Sequence, residues 1–587
     1  MPTTLDTLQK TFGFPTFRGV QGDVVARVMA GENTLAVMPT GAGKSLCYQL
    51  PSVVLEGTCV VVSPLIALMH DQLRAADAIG IRAATLTSVD TNQAETVARF
   101  RAGALDLLYV APERASNDSF RNLLRQSPLA LFAIDEAHCV SEWGHDFRPD
   151  YRLLRPLLDE FGDVPRLALT ATADAHTRAD ILDQLGIPRD GLIIAGFDRP
   201  NIRYMISPRD NTARQITQVI RDTPGPGIVY AQTRAATERL AEQLASTGRP
   251  TRAYHAGLDP AVRARNQAAF VRSEDMVICA TIAFGMGIDK PDVRFVAHAG
   301  LPKSIEAYYQ ETGRAGRDGD PSVAHLFWGA EDFARAQQRI AEVEPERQAT
   351  ARAQLQALSG LVETGTCRRA MLLRHFGENP PTECGNCDNC LSKPALIDAT
   401  ELARKFLSAV YRTGQSFGVG HLEKVLTGAT DERVEKMGHD RLSVFGIVSG
   451  AEAALIRPLS RALQARGLLT TTEHGGLSLG GDARAVLKGE APVQIVAPPI
   501  KKPGGRRRAA AADMPNDPLF EALRTKRREL ATEAKVPPYV IFHDSVLREM
   551  AALKPASRVA LGQITGIGAR KMEAYGDAFL AVIRESI

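Results

Sequence analysis

Short runs of almost uninterrupted apolar residues alternate with helical stretches from the start of the chain to about residue 330. A strand buried on one face alternates between apolar and polar residues, whereas runs that are apolar throughout are typical of parallel strands covered by helices on both faces. The runs are Cys59–Ser63, Leu105–Val110, Leu131–Ile134, Arg166–Leu169, Gly227–Tyr230, Met276–Ala280 and Phe295–Ala299. Because the pattern breaks at a turn-like segment, Phe197–Asn201, we expect two α/β lobes, residues 1–196 and 197–330.

The size and composition of the chain exclude several classes of protein. A chain of 587 residues is too long for one hydrophobic core, so about three to five domains are expected. There is no apolar run of the length that crosses a bilayer, and we expect no membrane partner. The first residues lack the apolar segment of a secretory signal, which predicts a cytoplasmic location where disulfides are disfavoured. The net charge of +3 favours neither presence nor absence of a polyanionic partner.

The region after residue 330 has a different character. Residues 331–395 are helical in pattern and lead into a cysteine cluster, and residues 396–490 suggest a smaller α+β unit. Residues 491–514 are rich in Pro, Gly and Arg with almost no acid, which predicts a flexible basic linker. Helical spacing of apolar residues returns in 515–587 and predicts a compact helical module.

The string T-G-A-G-K-S follows a strand-like run and predicts a phosphate-binding loop. Glycines allow backbone N–H groups to surround phosphate oxygens at the start of a helix, a lysine adds charge, and a hydroxyl can bind magnesium. The predicted ATP ligands here are Thr40, Gly41, Gly43, Lys44 and Ser45. Met38 stands where the full pattern has glycine, so a simple Gly-rich turn between strand and helix is the alternative.

An acidic pair, Asp135 and Glu136, ends the buried run Leu131–Ile134. Carboxylates at the carboxyl end of such a strand are well placed for magnesium and for the attacking water. We expect Asp135 to hold Mg²⁺ through its water shell and Glu136 to orient or deprotonate the water. His138 either couples this pair to Thr170–Thr172 or is a hydrogen-bonded core residue.

Two arginines lie three residues apart in Gln310–Arg317, which predicts that they share one helical face. A planar guanidinium suits bidentate contact with phosphate. We assign Arg317 as an arginine finger and Arg314 as a second phosphate or coupling contact; a solvated basic face is the alternative. Because Lys44 lies in the other lobe, catalysis would require the lobes to close.

The eight cysteines fall into two groups. Cys367, Cys384, Cys387 and Cys390 are close in sequence and supply four thiolates, enough for a closed tetrahedral Zn²⁺ site. Four protein ligands leave no open position, so the metal would be structural, and an iron–sulfur cluster is the alternative. The scattered cysteines are expected to be small buried hydrophobic residues; they are Cys47, Cys59, Cys139 and Cys279.

Five strings in this order are typical of an ATP-driven motor on nucleic acid: T-G-A-G-K-S, D-E-A-H, T-A-T (Thr170–Thr172), G-M-G-I-D (Gly285–Asp289) and Q-x-x-G-R-A-G-R. With L-x-x-x-F-G-F-x-x-F-R-x-x-Q (Leu8–Gln21), S-P-L-I-A-L-M-x-D-Q and Y-V-A-P-E-R, the chain resembles RecQ-type DNA helicases of superfamily 2 over nearly its whole length. The resemblance implies that Phe14 and Arg18 sandwich adenine and that Gln21 hydrogen-bonds its edge.

The fold that the resemblance implies is a multidomain α/β architecture. Two RecA-like parallel-sheet lobes precede a helical zinc-binding subdomain (331–395), a winged-helix domain (396–490), the basic linker and a small all-α HRDC module (515–587). In that module G-I-G-A-R-K (Gly566–Lys571) could bind phosphate, and Lys526–Arg528 could add charge or form a solvated face.

The resemblance also suggests DNA contacts. The segment Cys139–Tyr151 holds two rings and an arginine among polar residues and resembles the family's aromatic loop, which implies that Trp143, Phe147 and Arg148 touch single-stranded DNA. A hydrophobic staple is the alternative. In Thr470–Leu479 we expect a hairpin that approaches the duplex junction with His474 near its tip, or one that is purely structural.

The sequence thus predicts an ATP- and Mg²⁺-dependent DNA helicase that also holds zinc. The resemblance implies 3′ to 5′ movement, work in recombination and repair, single-stranded and forked duplex DNA as substrates, and association with the nucleoid. A single-strand-binding protein is a candidate partner. The rival hypotheses are an RNA unwinder, a duplex translocase that separates no strands, and a binding module with an inactive motor.

Overall fold

A computed structural model describes residues 3–115, 117–141, 148–284, 290–472, 476–497 and 517–586. The first lobe is built on a sheet of strands in the order β3-β4-β2-β5-β6-β1-β7, all paired in parallel. The strands are β1 (Thr34–Val37), β2 (Thr58–Val62), β3 (Ala83–Leu86), β4 (Leu107–Val110), β5 (Leu129–Ile134), β6 (Arg166–Thr170) and β7 (Leu192–Ile194).

The second lobe repeats this plan after the segment Phe197–Asn201. Its strands lie in the order β10-β11-β9-β12-β13-β8, again all parallel. They are β8 (Ile202–Pro208), β9 (Gly227–Tyr230), β10 (Thr251–Tyr254), β11 (Val277–Ala280), β12 (Phe295–His298) and β13 (Ser322–Trp328). The prediction of parallel sheets from the apolar runs is confirmed.

Helices cover both faces of the first sheet, which explains why its strands are apolar throughout. Val60 and Val62 pack into one core, whereas Cys59 and Val61, on the opposite face, pack into another. The scattered cysteines are all buried, as expected. Helices of the first lobe are Thr4–Thr7, Leu8–Phe12, Gln21–Met29, Leu46–Val54, Ile66–Ala78, Gln93–Arg101, Pro112–Ala115, Asp118–Leu124, Ala137–Val140, Pro149–Arg152, Leu154–Glu160, Ala175–Leu185 and Arg189–Gly191. Helices of the second lobe are Thr212–Asp222, Arg234–Ala245, Pro260–Arg272, Ile282–Phe284 and Ile305–Thr312.

Three smaller units follow the lobes, and the last two have cores of their own. The first has helices Ala330–Glu342, Pro345–Glu363, Arg368–His375 and Asp388–Leu391. The second has helices Thr400–Arg412, Val419–Thr427, Glu432–Lys436, His439–Arg441, Gly450–Leu455, Ile456–Ala465 and Ala483–Leu487 with strands β14 (Leu396–Asp398), β15 (Leu469–Thr471), β16 (Leu477–Leu479) and β17 (Gln494–Val496). The last has helices Pro518–Glu533, Pro538–Ile541, Asp544–Leu553, Arg558–Leu561 and Ala569–Glu585. Strands β15 and β16 pair antiparallel, so the predicted hairpin is present.

The structure differs from the sequence prediction at the start of the basic linker. Strand β17 lies within the predicted flexible segment 491–514 and pairs antiparallel with β14. Val493 and Ile495 are buried on one face while Gln494 between them is exposed, which is the alternation of a half-buried strand. Of the predicted linker, residues 498–514 lie outside the described residues. Among the described helices, none has the length and apolar character needed to cross a membrane.

Candidate active site and metal centre

The predicted phosphate-binding loop has the expected strand–loop–helix setting. It joins β1 to the helix Leu46–Val54, and Gly41 and Gly43 have φ values of +88° and +74°. Such values are easy only for glycine and allow successive N–H groups to face one concavity. The Nζ of Lys44 donates to the carbonyl of Met38 at 3.2 Å. The residue that departs from the full pattern therefore supplies a carbonyl to the lysine.

The acidic pair follows β5, which lies between β2 and β6 in the sheet. The hydroxyl of Tyr151 donates to the Asp135 carbonyl at 2.9 Å, and the Glu136 N–H donates to the Asp135 carboxylate at 3.0 Å. Glu136 has a φ of +49°, an uncommon conformation for a side chain of this size and one that recurs at functional sites.

The electrostatics of the acidic pair favour a bound cation. Burial, with a further contribution from the charge of Glu136, raises the pKa of Asp135 to about 7, although Lys44 acts in the opposite direction. A divalent cation would offset the cost of holding this carboxylate ionised. The candidate donors are the carboxylates of Asp135 and Glu136 and the hydroxyl of Ser45 in the phosphate-binding loop. Such oxygen donors are the ligands that Mg²⁺ prefers.

A chain of polar contacts leads from the acidic pair to the second lobe. The Nδ1 of His138 lies 3.3 Å from a Glu136 carboxylate oxygen and 3.0 Å from the Thr170 hydroxyl. The Nε2 of Gln310 donates to the Thr172 hydroxyl at 3.2 Å. Burial lowers the pKa of His138 to about 3, and Lys44 and Arg148 add to the effect, so its imidazole is neutral. The structure thus brings His138 together with Thr170–Thr172, as the sequence suggested.

The two candidate arginines do not share a helical face, which corrects the sequence prediction. The helix ends at Thr312, and residues 313–318 form a turn. A Cβ atom built on Gly41 would lie 3.5 Å from the Cα of Arg317, so this residue abuts the phosphate-binding loop. Arg314 is buried in the second lobe, close to Tyr230. Burial raises the pKa of the Tyr230 hydroxyl to about 12, and the charge of Arg314 acts in the opposite direction. The structure brings Arg317, rather than Arg314, to the loop.

Arg199 is a residue of the interlobe contact that the sequence analysis did not identify. Its guanidinium donates to the carbonyls of Thr40, Gly313, Ala315 and Gly316. The sequence signal was an arginine in F-D-R-P-N, which the pattern indicated only as a turn.

The predicted adenine-binding residues lie next to the phosphate-binding loop. The guanidinium of Arg18 is 5.5 Å from the centroid of the Phe14 ring. The Nε2 of Gln21 donates to the Ala42 carbonyl at 2.8 Å, and its Oε1 accepts from the Arg18 N–H at 2.9 Å. Gln21 therefore ties the adenine motif to the loop, and the adenine contacts stay predictions.

Most of the predicted DNA contacts fall outside the described residues. Trp143, Phe147 and His474 lie there, as does the string Gly285–Asp289. Arg148 is described, and its Nη1 donates to the carbonyl of Pro64 at 2.9 Å.

The four clustered cysteines converge as a metal site requires. Their Sγ atoms all lie within 4.8 Å of one another, with Cys384–Cys390 at 4.0 Å and Cys367–Cys387 at 3.9 Å. Four sulfurs at the usual Zn–S bond length would be about 3.8 Å apart at the corners of a tetrahedron. Main-chain N–H groups of Ala370 and Asn386 donate to two of these sulfurs. The residues therefore fit Zn²⁺ with no open position.

Comparison with known protein families matches five segments that together cover most of the chain. The matches are to the DEAD/DEAH box helicase model at residues 18–181, the helicase conserved C-terminal domain at 211–319, RecQ zinc-binding at 330–391, the RQC domain at 393–503 and the HRDC domain at 516–583. The ATP-dependent DNA helicase RecQ of Haemophilus influenzae is 42% identical over 100% of this chain and 96% of its own length. The chain belongs to the RecQ family of ATP-dependent DNA helicases. The RecQ helicase of Bacillus subtilis is 38% identical over 98% of this chain and 97% of its own.

The HRDC domain of this RecQ-family helicase packs against both lobes. The Gly566 N–H donates to the Gly13 carbonyl of the first lobe at 3.0 Å. Arg527 and Arg528 pair with Glu274 of the second lobe at 2.8 and 2.6 Å. In this arrangement Gly566, Arg527 and Arg528, which the sequence suggested for binding phosphate or DNA, are engaged by protein groups.

Proposed function

We propose that this RecQ-family helicase hydrolyses ATP between its two lobes, moves 3′ to 5′ along single-stranded DNA and unwinds duplex DNA in recombination and repair. The observation that carries the catalytic part is the placement of Arg317 of the second lobe against Gly41 of the first. Polarity and cellular role rest on the family resemblance, as do association with the nucleoid and a single-strand-binding protein as partner.

In the proposed reaction each residue has a distinct task. Backbone N–H groups of the loop and Lys44 hold the β- and γ-phosphates. Ser45 and Asp135 would hold Mg²⁺, which when bound would neutralise the charge that develops on the phosphates. Glu136 orients the attacking water. Arg317 stabilises the charge on the transferred phosphoryl group when the lobes are closed.

The contact between Thr172 and Gln310 supports coupling between hydrolysis and motion. Gln310 precedes the arginine turn, and Thr172 connects through Thr170 and His138 to the acidic pair. If Asp135 and Glu136 shift when the γ-phosphate is lost, the hydrogen bond between Gln310 and Thr172, which joins the two lobes, would therefore change as well. Melting one base-pair step costs about 1.4 kcal/mol on average, a modest demand for one ATP turnover.

Strand separation on matched forks tests this proposal. Forked duplexes of DNA and of RNA, and tailed DNA duplexes with only a 3′ or only a 5′ single strand, are incubated with ATP and Mg²⁺. We expect unwinding of the DNA fork and the 3′-tailed duplex, and none with Lys44→Ala. Preference for the RNA fork, or for the 5′ tail, would contradict the proposal.

A further inference from the structure

Arg199 is anchored to the second lobe by three main-chain carbonyls. Its Nη1 donates to Gly313 at 3.1 Å, and its Nη2 donates to Ala315 and Gly316 at 2.9 Å each. These carbonyls follow the end of the helix Ile305–Thr312, where main-chain acceptors have no helical partner and the helix dipole favours a cation. The guanidinium therefore binds the C-cap carbonyl, Gly313, and two carbonyls of the turn that follows.

The same three carbonyls belong to the turn that presents Arg317. Asn201, two residues after Arg199, donates to Gly316 at 2.8 Å and to Asp320 at 2.9 Å. Gly316 has a φ of +55°, which reverses the chain just before the candidate finger. The segment Phe197–Asn201 thus fixes the backbone that carries Arg317.

A fourth hydrogen bond of Arg199 crosses to the first lobe. Its Nη1 donates to the carbonyl of Thr40, the first residue of the phosphate-binding loop, at 2.6 Å. The turn itself is close to the same residue, since a Cβ atom built on Gly313 would lie 3.4 Å from the Cβ of Thr40. One side chain therefore contacts both the turn that holds Arg317 and the loop that holds the triphosphate.

We propose that Arg199 is a positioning residue for ATP hydrolysis, which sets the location of Arg317 relative to the γ-phosphate. This inference rests on the proposed role of Arg317. Three of its bonds lie within the second lobe and one crosses the cleft, so Arg199 stays with the arginine turn when the lobes separate and meets Thr40 when they close. Its contribution is then made in the closed state, where the phosphoryl group is transferred, more than in initial binding of ATP.

Steady-state kinetics of DNA-stimulated ATP hydrolysis tests the proposal with Arg199→Ala and Arg199→Lys. Misplacement of a catalytic group by about 1 Å can cost about 100-fold in rate. We expect kcat to fall by about 10- to 100-fold in both variants with little change in the KM for ATP. Lysine restores little, because one ammonium group cannot reproduce a planar fork that spans four carbonyls.

Arg249 provides a matched control, because its guanidinium also donates to several main-chain carbonyls. It donates to the carbonyls of Ile220 and Asp275 at 3.0 Å each, within the second lobe. Arg249→Ala is expected to lower the melting temperature while kcat is preserved. Should Arg199→Ala not fold, Arg199→Lys, which keeps the charge and most of the bulk, provides the same comparison.

The Arg317→Ala background separates positioning from a general structural role. If Arg199 acts through Arg317, adding Arg199→Ala to Arg317→Ala lowers kcat by little more than Arg317→Ala alone. An unchanged kcat in Arg199→Ala, or an equal fold-loss in both backgrounds, would overturn the inference. If Arg317→Ala itself left kcat intact, the proposed function would fail, which is a different result.

Discussion

Replacing Arg317 by alanine is expected to lower the kcat of DNA-stimulated ATP hydrolysis by about 1,000-fold or more. Arginine fingers stabilise charge that develops on the phosphoryl group in the transition state, and their removal affects the chemical step more than ground-state binding. Arg317 reaches Gly41 from the opposite lobe, so it acts on the nucleotide only when the lobes are closed. The KM for ATP should therefore change far less than kcat.

Phosphate release at saturating single-stranded DNA measures this effect, and binding of a fluorescent ATP analogue reports whether the site is intact. Arg339 is a suitable control, because it is an exposed arginine in the first helix of the zinc-binding subdomain, where its Nε donates to the carbonyl of Arg335. Arg339→Ala should retain wild-type kcat. If kcat falls by less than tenfold in Arg317→Ala, Arg317 does not act as the arginine finger.

Replacing Cys387 by serine is expected to release zinc and to unfold the zinc-binding subdomain. Structural Zn²⁺ contributes about 10–16 kcal/mol of apparent binding free energy in small zinc domains, which is comparable to the whole net stability of about 5–15 kcal/mol of a typical domain. Cys387 is completely buried, so its loss also leaves a polar hydroxyl in the core.

The effect should extend into the second lobe. Asp388, next to Cys387, accepts a hydrogen bond from the Ile206 N–H of β8 at 2.9 Å and pairs with Arg368 at 3.1 Å. Asn386 accepts from Arg203 of the same strand at 3.1 Å. Loss of zinc would therefore remove contacts that cover the edge strand of the second sheet.

Elemental analysis for zinc and thermal unfolding of the full chain test this prediction. Cys279 is the matched control, because it is also fully buried but lies in β11. Cys279→Ala should keep one zinc ion per chain and lose only the stability expected for a small core truncation. A Cys387→Ser protein with a full zinc complement and an unchanged melting temperature would contradict the assignment.

The parts of the fold that follow from local pattern were predictable. The apolar runs predicted parallel strands because burial on both faces leaves no polar positions, as the division of Val60 and Cys59 between two cores illustrates. Strand β17 was missed because three residues in a Pro- and Arg-rich stretch have little strand signal, and its partner β14 lies about a hundred residues earlier.

The candidate site also has parts that local sequence pattern predicted and parts that it did not. Metal-ligand spacing predicted the cysteine cluster because the ligands themselves are the signal. The spacing of Arg314 and Arg317 predicted a helical face, but the helix stops at Thr312, and Arg199 from a distant segment binds the carbonyl of Gly313 just beyond its end. Long-range contacts between side chain and main chain leave no periodic trace in a sequence, so the role of Arg199 could not be inferred.

The proposed function requires ATP hydrolysis in a cleft formed by both lobes and controlled by DNA. The ratio of phosphate-release rates with and without single-stranded DNA tests it most directly, measured for the natural protein and for Trp143→Ala under conditions in which both bind ATP equally. We predict a ratio far above one for the natural protein and a ratio close to one for the variant. Equal rates with and without DNA in the natural protein, or full stimulation in Trp143→Ala, would show that DNA does not control hydrolysis through the segment that holds Trp143.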